Sequence, residues 1–283
     1  MHNLDHEIPN GSKLYFSKSA KIKRELENFS ADIFLKHEFN EIVTPYFSYH
    51  QHLSVKKDQI LSVKDLENNE LSLRADSTID VSRIVLKRLK DENLKRIFYI
   101  QPVFKYPSNE IYQIGAELLG SRNLSTCLDI ASEIFDKFDV KTKLQISNIE
   151  IPHIVCKLLN LPLTIFEKGD INALLKLNLE WVNALLGLSD WSDLGRVKKI
   201  VPSELIAPLE RIENLAVNRK NVCIMALYYS KMRYYDKLFF RFVSDNSILC
   251  SGGDYEIDGL ESSGFAVMSD AVIERILEKR EYR

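Results

Sequence analysis

The chain has 283 residues, is 45% hydrophobic and 28% charged, and carries a formal net charge of −2 at neutral pH. That balance fits a globular fold with a substantial core and lacks the basic excess of a chain that grips nucleic-acid phosphates. No run of about eighteen apolar residues occurs, and the start, "MHNLDHEIPNG", has no apolar h-region; no membrane span or secretory leader is expected, and the cytoplasm is the expected location.

In chain order, residues 18–38 place Ile22, Leu26, Phe29, Ile33 and Phe34 on one stripe, which predicts an amphipathic helix. Ile42 and Val43 then open a short strand that Pro45 confines to an edge or an interface. The stretch "ILSVKDLENNELSLR" reads as a hairpin turning at "ENNE", with Leu71 and Leu73 alternating as on a half-buried strand. A helix follows from Ser77. Ser77 and Asp80 stand as a capping box with Asp for the usual Glu, and Val81, Ile84, Val85 and Leu89 keep helical spacing. Arg74 and Asp76 sit at the strand-to-helix junction, where rigid elements can aim polar groups at a ligand. The alternative is that Asp76 or Ser77 caps the helix and Arg74 neutralises it.

"KRIFYIQPVFKY" and "IYQIGAELLG" predict a second, short hairpin joined by "PSNE". "TCLDIASEIFDKFD" reads as a helix with Leu128, Ala131, Ile134, Phe135 and Phe138 on one face, and "VKTKLQISN" as a strand. Residues 151–218 are almost wholly helical in pattern. Strand character returns in "NVCIMALYY", "KLFFRFVS" and "SILCSGG", and "DAVIERILEKREY" is a closing helix. The order predicts one α+β domain over 1–283, with a mostly antiparallel sheet flanked by helices and a helical insertion at about 150–220.

The four cysteines, Cys127, Cys156, Cys223 and Cys250, form no C-x-x-C pair, and only His50 and His52 of the six histidines fall close together. Neither a zinc site nor a disulfide framework is indicated. The common nucleotide-cradling, zinc-hydrolase and serine-nucleophile motifs are missing, so no cofactor is expected.

Three segments carry a resemblance. "EFNEIVTPYF" is similar to the first motif of class II aminoacyl-tRNA synthetases, whose proline lies at the dimer interface. "LSLRADSTIDVSR", "FYIQPVFKY" and "YQIGAELLGS" resemble the histidine-pocket segments and second motif of the histidyl-tRNA synthetase branch. "YYDKLFFRF" with "GGDYEIDGLESSGFAV" resembles its tyrosine pair, glycine turn and third motif. Within that branch, "LRAD" and "QIGAELLGS" look most like the regulatory subunits of ATP phosphoribosyltransferase. The resemblance implies a class II synthetase-like fold and a histidine-like pocket at Asp76, Thr78, Gln113 and Glu117, with Tyr235 nearby and Lys105 at its border. Acidic groups and an amide suit an α-ammonium or an imidazole N–H.

The departures from the synthetase pattern fall where it binds ATP. Lys105 stands in place of an arginine and cannot make its bidentate fork. The loop that covers ATP is reduced to "PSNE", and Asp270 and Ala271 replace a Glu and an ATP-binding Arg. Ser230 and Asp254 stand where arginines are expected, and Arg233 where an Asp is. Adenylate formation needs fixed positive charge on the phosphates. The chain also leaves no length for an anticodon-binding domain.

The resemblance therefore implies a non-catalytic subunit that forms a homodimer through its first-motif region and assembles with a short catalytic ATP phosphoribosyltransferase subunit. That complex makes the first intermediate of histidine biosynthesis, with histidine as feedback inhibitor, bound in the inherited pocket or at a new interface. The alternatives are a reduced synthetase paralogue that activates an amino acid and a divergent binding module.

Overall fold

The computed structural model describes residues 7–91, 93–230, 232 and 234–281. Helix α1 (Ser17–Lys36) buries Ile22, Leu26, Ile33 and Phe34, the stripe seen in the sequence, while Phe29 packs at the margin against Phe138. Strand β1 is only Asn40–Glu41, in parallel register with Ile97 and Phe98. It ends before Ile42 and Val43, and Val43 is 81% exposed. The predicted first hairpin forms a small sheet of β2 (Phe47–Ser48), β3 (Ser62–Lys64) and β4 (Glu70–Leu73) in the order β2-β4-β3.

Helix α2 (Thr78–Arg83) starts where the sequence places it and continues as a π-helical segment over Ile84–Leu89. The predicted capping box does not form. Ser77 Oγ instead accepts from Gln101 Nε2 at 3.1 Å, and Asp80 accepts from Ser48 Oγ at 2.8 Å and from Gln51 Nε2. Asp76 Oδ1 lies at a long 3.5 Å from the Ile79 amide.

The second hairpin is long rather than short: β5 (Arg96–Lys105) and β6 (Asn109–Leu118) pair along ten residues each. After α3 (Leu124–Lys137) and β7 (Lys143–Asn148) come six helices, α4 (Glu150–Leu159), α5 (Thr164–Lys168), α6 (Ile171–Leu175), α7 (Glu180–Gly187), α8 (Leu194–Val197) and α9 (Ile206–Ala216). Strand β8 covers only Val222–Ile224, so most of "NVCIMALYY" lies outside the ladder. Strands β9 (Tyr235–Ser244), β10 (Ser247–Ile257) and β11 (Leu260–Met268) lead into α10 (Ser269–Glu281).

The large sheet runs β1-β5-β6-β11-β10-β9-β7-β8, antiparallel except for the edge pairs β1–β5 and β7–β8. Alternation divides its two faces. Ile114, Ala116, Leu118, Phe265, Val267 and Phe240 join the main core, which α1, α3 and α10 cover. Gln113, Gly115 and Glu117, one residue out of phase, look to the opposite face, where Tyr99 and Ile97 pack with Val81 and Val85 of the α2 segment. Among the described residues, no helix is long and apolar enough to cross a membrane.

Candidate functional site

The face opposite the main core is floored by small residues. In adjacent strands, Gly115, Ala266 and Ser251 share a cross-strand row with Tyr99 and Arg241, and Gly264 and Gly253 share the next row with Glu117 and Phe239. A methyl group on Gly264 would overlap the Glu117 carboxylate, and one on Gly253 would press on the Tyr235 ring. The glycines leave room for those two side chains to lie flat on the sheet.

Glu117 is fully buried, with Tyr99 Oη 3.2 Å from Oε1 and Tyr255 Oη 2.8 Å from Oε2. Burial pushes its acid up to about 8, against the hydroxyls of Tyr255, Thr78 and Tyr99, which favour the ionised form. Hydrogen counting points the same way. Ser82 Oγ lies 3.1 Å from Tyr255 Oη and gives its one hydrogen to the Thr78 carbonyl at 2.7 Å. With Glu117 ionised, Tyr255 donates to it and the Ser82–Tyr255 contact holds no hydrogen. With Glu117 protonated, donors run in series from Glu117 through Tyr255 and Ser82 to the Thr78 carbonyl.

Asp76 lies in the same cluster. Burial raises its acid to about 6, opposed by the charge of Lys105 and by Tyr234 Oη, which donates to Oδ2 at 3.1 Å. Neither Asp76 nor Glu117 has an ion-pair partner among the described residues. Arg74 does not supply one. Its guanidinium is fully buried and donates to the carbonyls of Thr44, Pro45 and Pro102 and to Thr44 Oγ1, at 2.7–3.1 Å. It braces backbone without forming an ion pair among the described residues, while its charge favours the ionised form of Asp80 in the first turn of α2.

The structure brings Asp76, Thr78, Glu117 and Tyr235 together. Gln113 stands four residues from Glu117 along β6, opposite Gln101, its Nε2 3.7 Å from Met268 Sδ and its buried Oε1 without a partner among the described residues. Lys105 stands at the end of β5, half-buried, close enough for its charge to act on Asp76, and lines a cavity of about 510 Å3 with Lys13, Asn109, Glu110 and Asp270. Tyr235 is packed between Tyr234 and Phe239, with ring centroids 4.6 and 5.0 Å away, while its neighbour Tyr234 makes the bond to Asp76.

Around the departures, Asp270 receives the Tyr15 hydroxyl and the Tyr112 amide, the latter at 2.9 Å. Ser230 is buried and accepts from the Met232 amide at 3.2 Å. Asp254 is buried on the opposite face with Oδ1 unpartnered among the described residues, and burial raises its acid to about 6. Arg233 lies outside the described residues. No group of three or more His, Cys, Asp and Glu side chains is placed to hold a metal ion among the described residues, and all four cysteines are free thiols.

A family profile described as histidyl-tRNA synthetase matches residues 15–272. The chain is 41% identical over 282 residues to the ATP phosphoribosyltransferase regulatory subunit of Wolinella succinogenes, covering 98% of each chain. This chain belongs to the family of ATP phosphoribosyltransferase regulatory subunits. The regulatory subunit of Helicobacter hepaticus is 35% identical over 278 residues, covering 97% of this chain and 99% of that one. Solved structures share the fold. One described as an ATP phosphoribosyltransferase regulatory subunit/histidyl-tRNA synthetase from Bacillus halodurans superimposes with a TM-score of 0.85 at 19% identity, covering 95% of this chain and 83% of that one. A histidine–tRNA ligase subunit from Alicyclobacillus acidocaldarius gives 0.78 at 16% identity, covering 98% of each.

For this regulatory-subunit family member, sequence reading missed Tyr99, Tyr255, Ser82 and Gln51, and of the tyrosine pair it placed Tyr235 at the pocket where Tyr234 makes the bond. Gln51 is buried and holds the α2 entry, its Oε1 accepting from the amides of Ala75 at 2.7 Å and Asp76 at 2.8 Å. The predicted "PSNE" turn would have set Tyr99 opposite Leu118; the hairpin instead closes at residues 106–108, pairing Lys105 with Asn109 and so Tyr99 with Gly115, on the face of Gln113 and Glu117.

Proposed function

We propose that this chain is a non-catalytic subunit that works in the cytoplasm with a short catalytic ATP phosphoribosyltransferase subunit, enabling the first step of histidine biosynthesis and conferring feedback inhibition by histidine. The chemistry belongs to the partner. Histidine occupies the cluster of Asp76, Thr78, Gln113 and Glu117, with Tyr235 behind it and Lys105 at the border.

One observation carries this reading: among the described residues, two buried carboxylates have no ion-pair partner and, on the same face of β6, a buried amide oxygen accepts nothing. A ligand with an α-ammonium and an imidazole N–H supplies the missing positive charge and donors. Feedback follows when histidine binds one state of the complex better than another. The positions that the resemblance matches to phosphate-binding arginines hold Lys105, Ser230, Asp254 and Ala271, which argues against nucleotide activation. The chain pairs with a second copy through the segment around Pro45.

The test mixes this protein with the short catalytic subunit and measures mass by light scattering and phosphoribosyl-ATP formation, with and without histidine. A larger species that gains activity and loses it on adding histidine is expected. Two species that stay separate, with unchanged activity, would refute the assembly. In the isolated protein, Asp76→Asn weakens histidine binding by roughly tenfold to a hundredfold, the usual worth of a hydrogen bond to a charged group. Unaltered binding would remove histidine from this pocket.

A further inference from the structure

A second cavity, of about 540 Å3, lies where the helical insertion meets the sheet. Its walls are mainly apolar, from Phe166, Leu174, Leu185 and Leu188 on the insertion side, and its sheet side carries Tyr228 and Arg241. Neither Asp76 nor Glu117 borders it. Volume and lining match those of small-molecule sites, in which a mostly apolar enclosure holds a few placed polar groups.

Arg241 is the polar group that needs explaining. It is part-buried, its guanidinium lies 4.1 Å from the Tyr228 ring centroid, and Nη2 donates to Gln145 Oε1 at 2.7 Å. It forms no ion pair among the described residues. A guanidinium has five N–H donors, and the bond to Gln145 uses one. Tyr228 is itself stacked on Phe239, ring centroids 5.3 Å apart, so the platform under the guanidinium is fixed. The other charges around the cavity, Glu167, Lys168 and Asp170, are exposed at the rim, where solvent and salt screen them. Asp170 is further engaged as the cap of α6, accepting from the Ala173 amide at 3.0 Å.

We infer that this cavity binds a small organic acid: an aromatic or branched aliphatic body lies among the leucines and Phe166, and the carboxylate takes the free edge of Arg241. A planar carboxylate matches the guanidinium fork, and the stacked Tyr228 face holds the fork in place before binding. The site is separate from the one proposed for histidine.

The experiment titrates the full chain with 3-phenylpropanoate and with its neutral amide, 3-phenylpropanamide, by calorimetry and saturation-transfer NMR. Saturable binding of the acid, about tenfold or more tighter than the amide, is expected, with Arg241→Gln abolishing that preference. Ile171→Trp, which narrows the mouth without touching Arg241, weakens the acid to a similar degree and covers the case in which Arg241→Gln does not fold. Equal binding of acid and amide, an Arg241→Gln variant that keeps the preference, or acid binding unaffected by Ile171→Trp would each overturn the inference.

Discussion

Glu117 makes the stability of the protein depend on pH. Its acid is raised from the ordinary value near 4.5 to about 8 in the fold, and those of Asp76 and Asp254 from near 3.8 to about 6. Between those limits the folded chain binds more protons than the unfolded one, so stability falls as pH rises. The contribution is complete below about pH 4 and is lost as pH climbs through 6 for the aspartates and 8 for Glu117. The melting temperature of the ligand-free protein should rise as pH is lowered from 8.5 to 6.5, and Glu117→Gln should flatten most of that slope and stabilise the protein at pH 8.5. A slope that survives Glu117→Gln would place the titration elsewhere. A cation bound at the cluster favours the ionised carboxylates, so histidine binding near neutral pH should release protons, read as a buffer-dependent calorimetric heat. Arg74 gives the opposite kind of residue-scale prediction. The donors of its fully buried guanidinium satisfy three carbonyls and a hydroxyl, so Arg74→Met should cost about 3 kcal/mol or more in urea denaturation, from stranded acceptors and not from a lost ion pair. Arg74→Lys should rescue little, because three ammonium donors on one atom cannot span that fork.

At the scale of elements, what the sequence makes legible is what local pattern determines. The α1 stripe, the two hairpins and the phase of β6 follow from periods of 3.6 and 2, and they suffice to put Gln113 and Glu117 on one face. The α2 entry was misread for the same reason. Ser77 and Asp80 look like a capping box because capping is a short-range pattern, yet their partners Gln101, Gln51 and Ser48 lie far away in the chain, and Asp76 reaches the Ile79 amide only at 3.5 Å while Tyr234 donates to it from across the fold. Tyr99 and Tyr255 were missed because an aromatic on a strand reads as core until its hydroxyl has a partner. Glycine content in β10 and β11 was legible, but its purpose was not. Gly264 has no room for a methyl beside Glu117 and the Ala116 carbonyl. Gly264→Ala should therefore cost about 1–3 kcal/mol, typical of overpacking, and displace Glu117 enough to change the pH slope of melting. A variant with wild-type stability and slope would show that the β6–β11 contact yields easily.

At the scale of the whole molecule, the segment after β1 ties the pocket to the surface. Val43, Tyr46, Phe47 and Tyr49 are 81, 54, 54 and 60% exposed, a concentration of apolar and aromatic side chains of the kind that anchors interfaces. The backbone beneath them is held from inside. Arg74 clasps the carbonyls of Thr44 and Pro45, and its own amide donates to Tyr46 O at 2.7 Å, two residues before Asp76. If this face joins two copies, as proposed, a charge in it should oppose dimerisation without reaching the pocket. Val43→Glu with Phe47→Glu should halve the mass seen by light scattering while leaving the melting profile of each chain cooperative. Because the Arg74 clasp is internal to one chain, the monomer should still bind histidine, with affinity changed only by what the dimer contributes to the position of residues 44–46. A double variant that keeps its full mass would move the dimer contact to another face. A monomer that loses histidine entirely would mean that the clasp needs the partner copy to hold its shape, making assembly and ligand binding a single linked equilibrium.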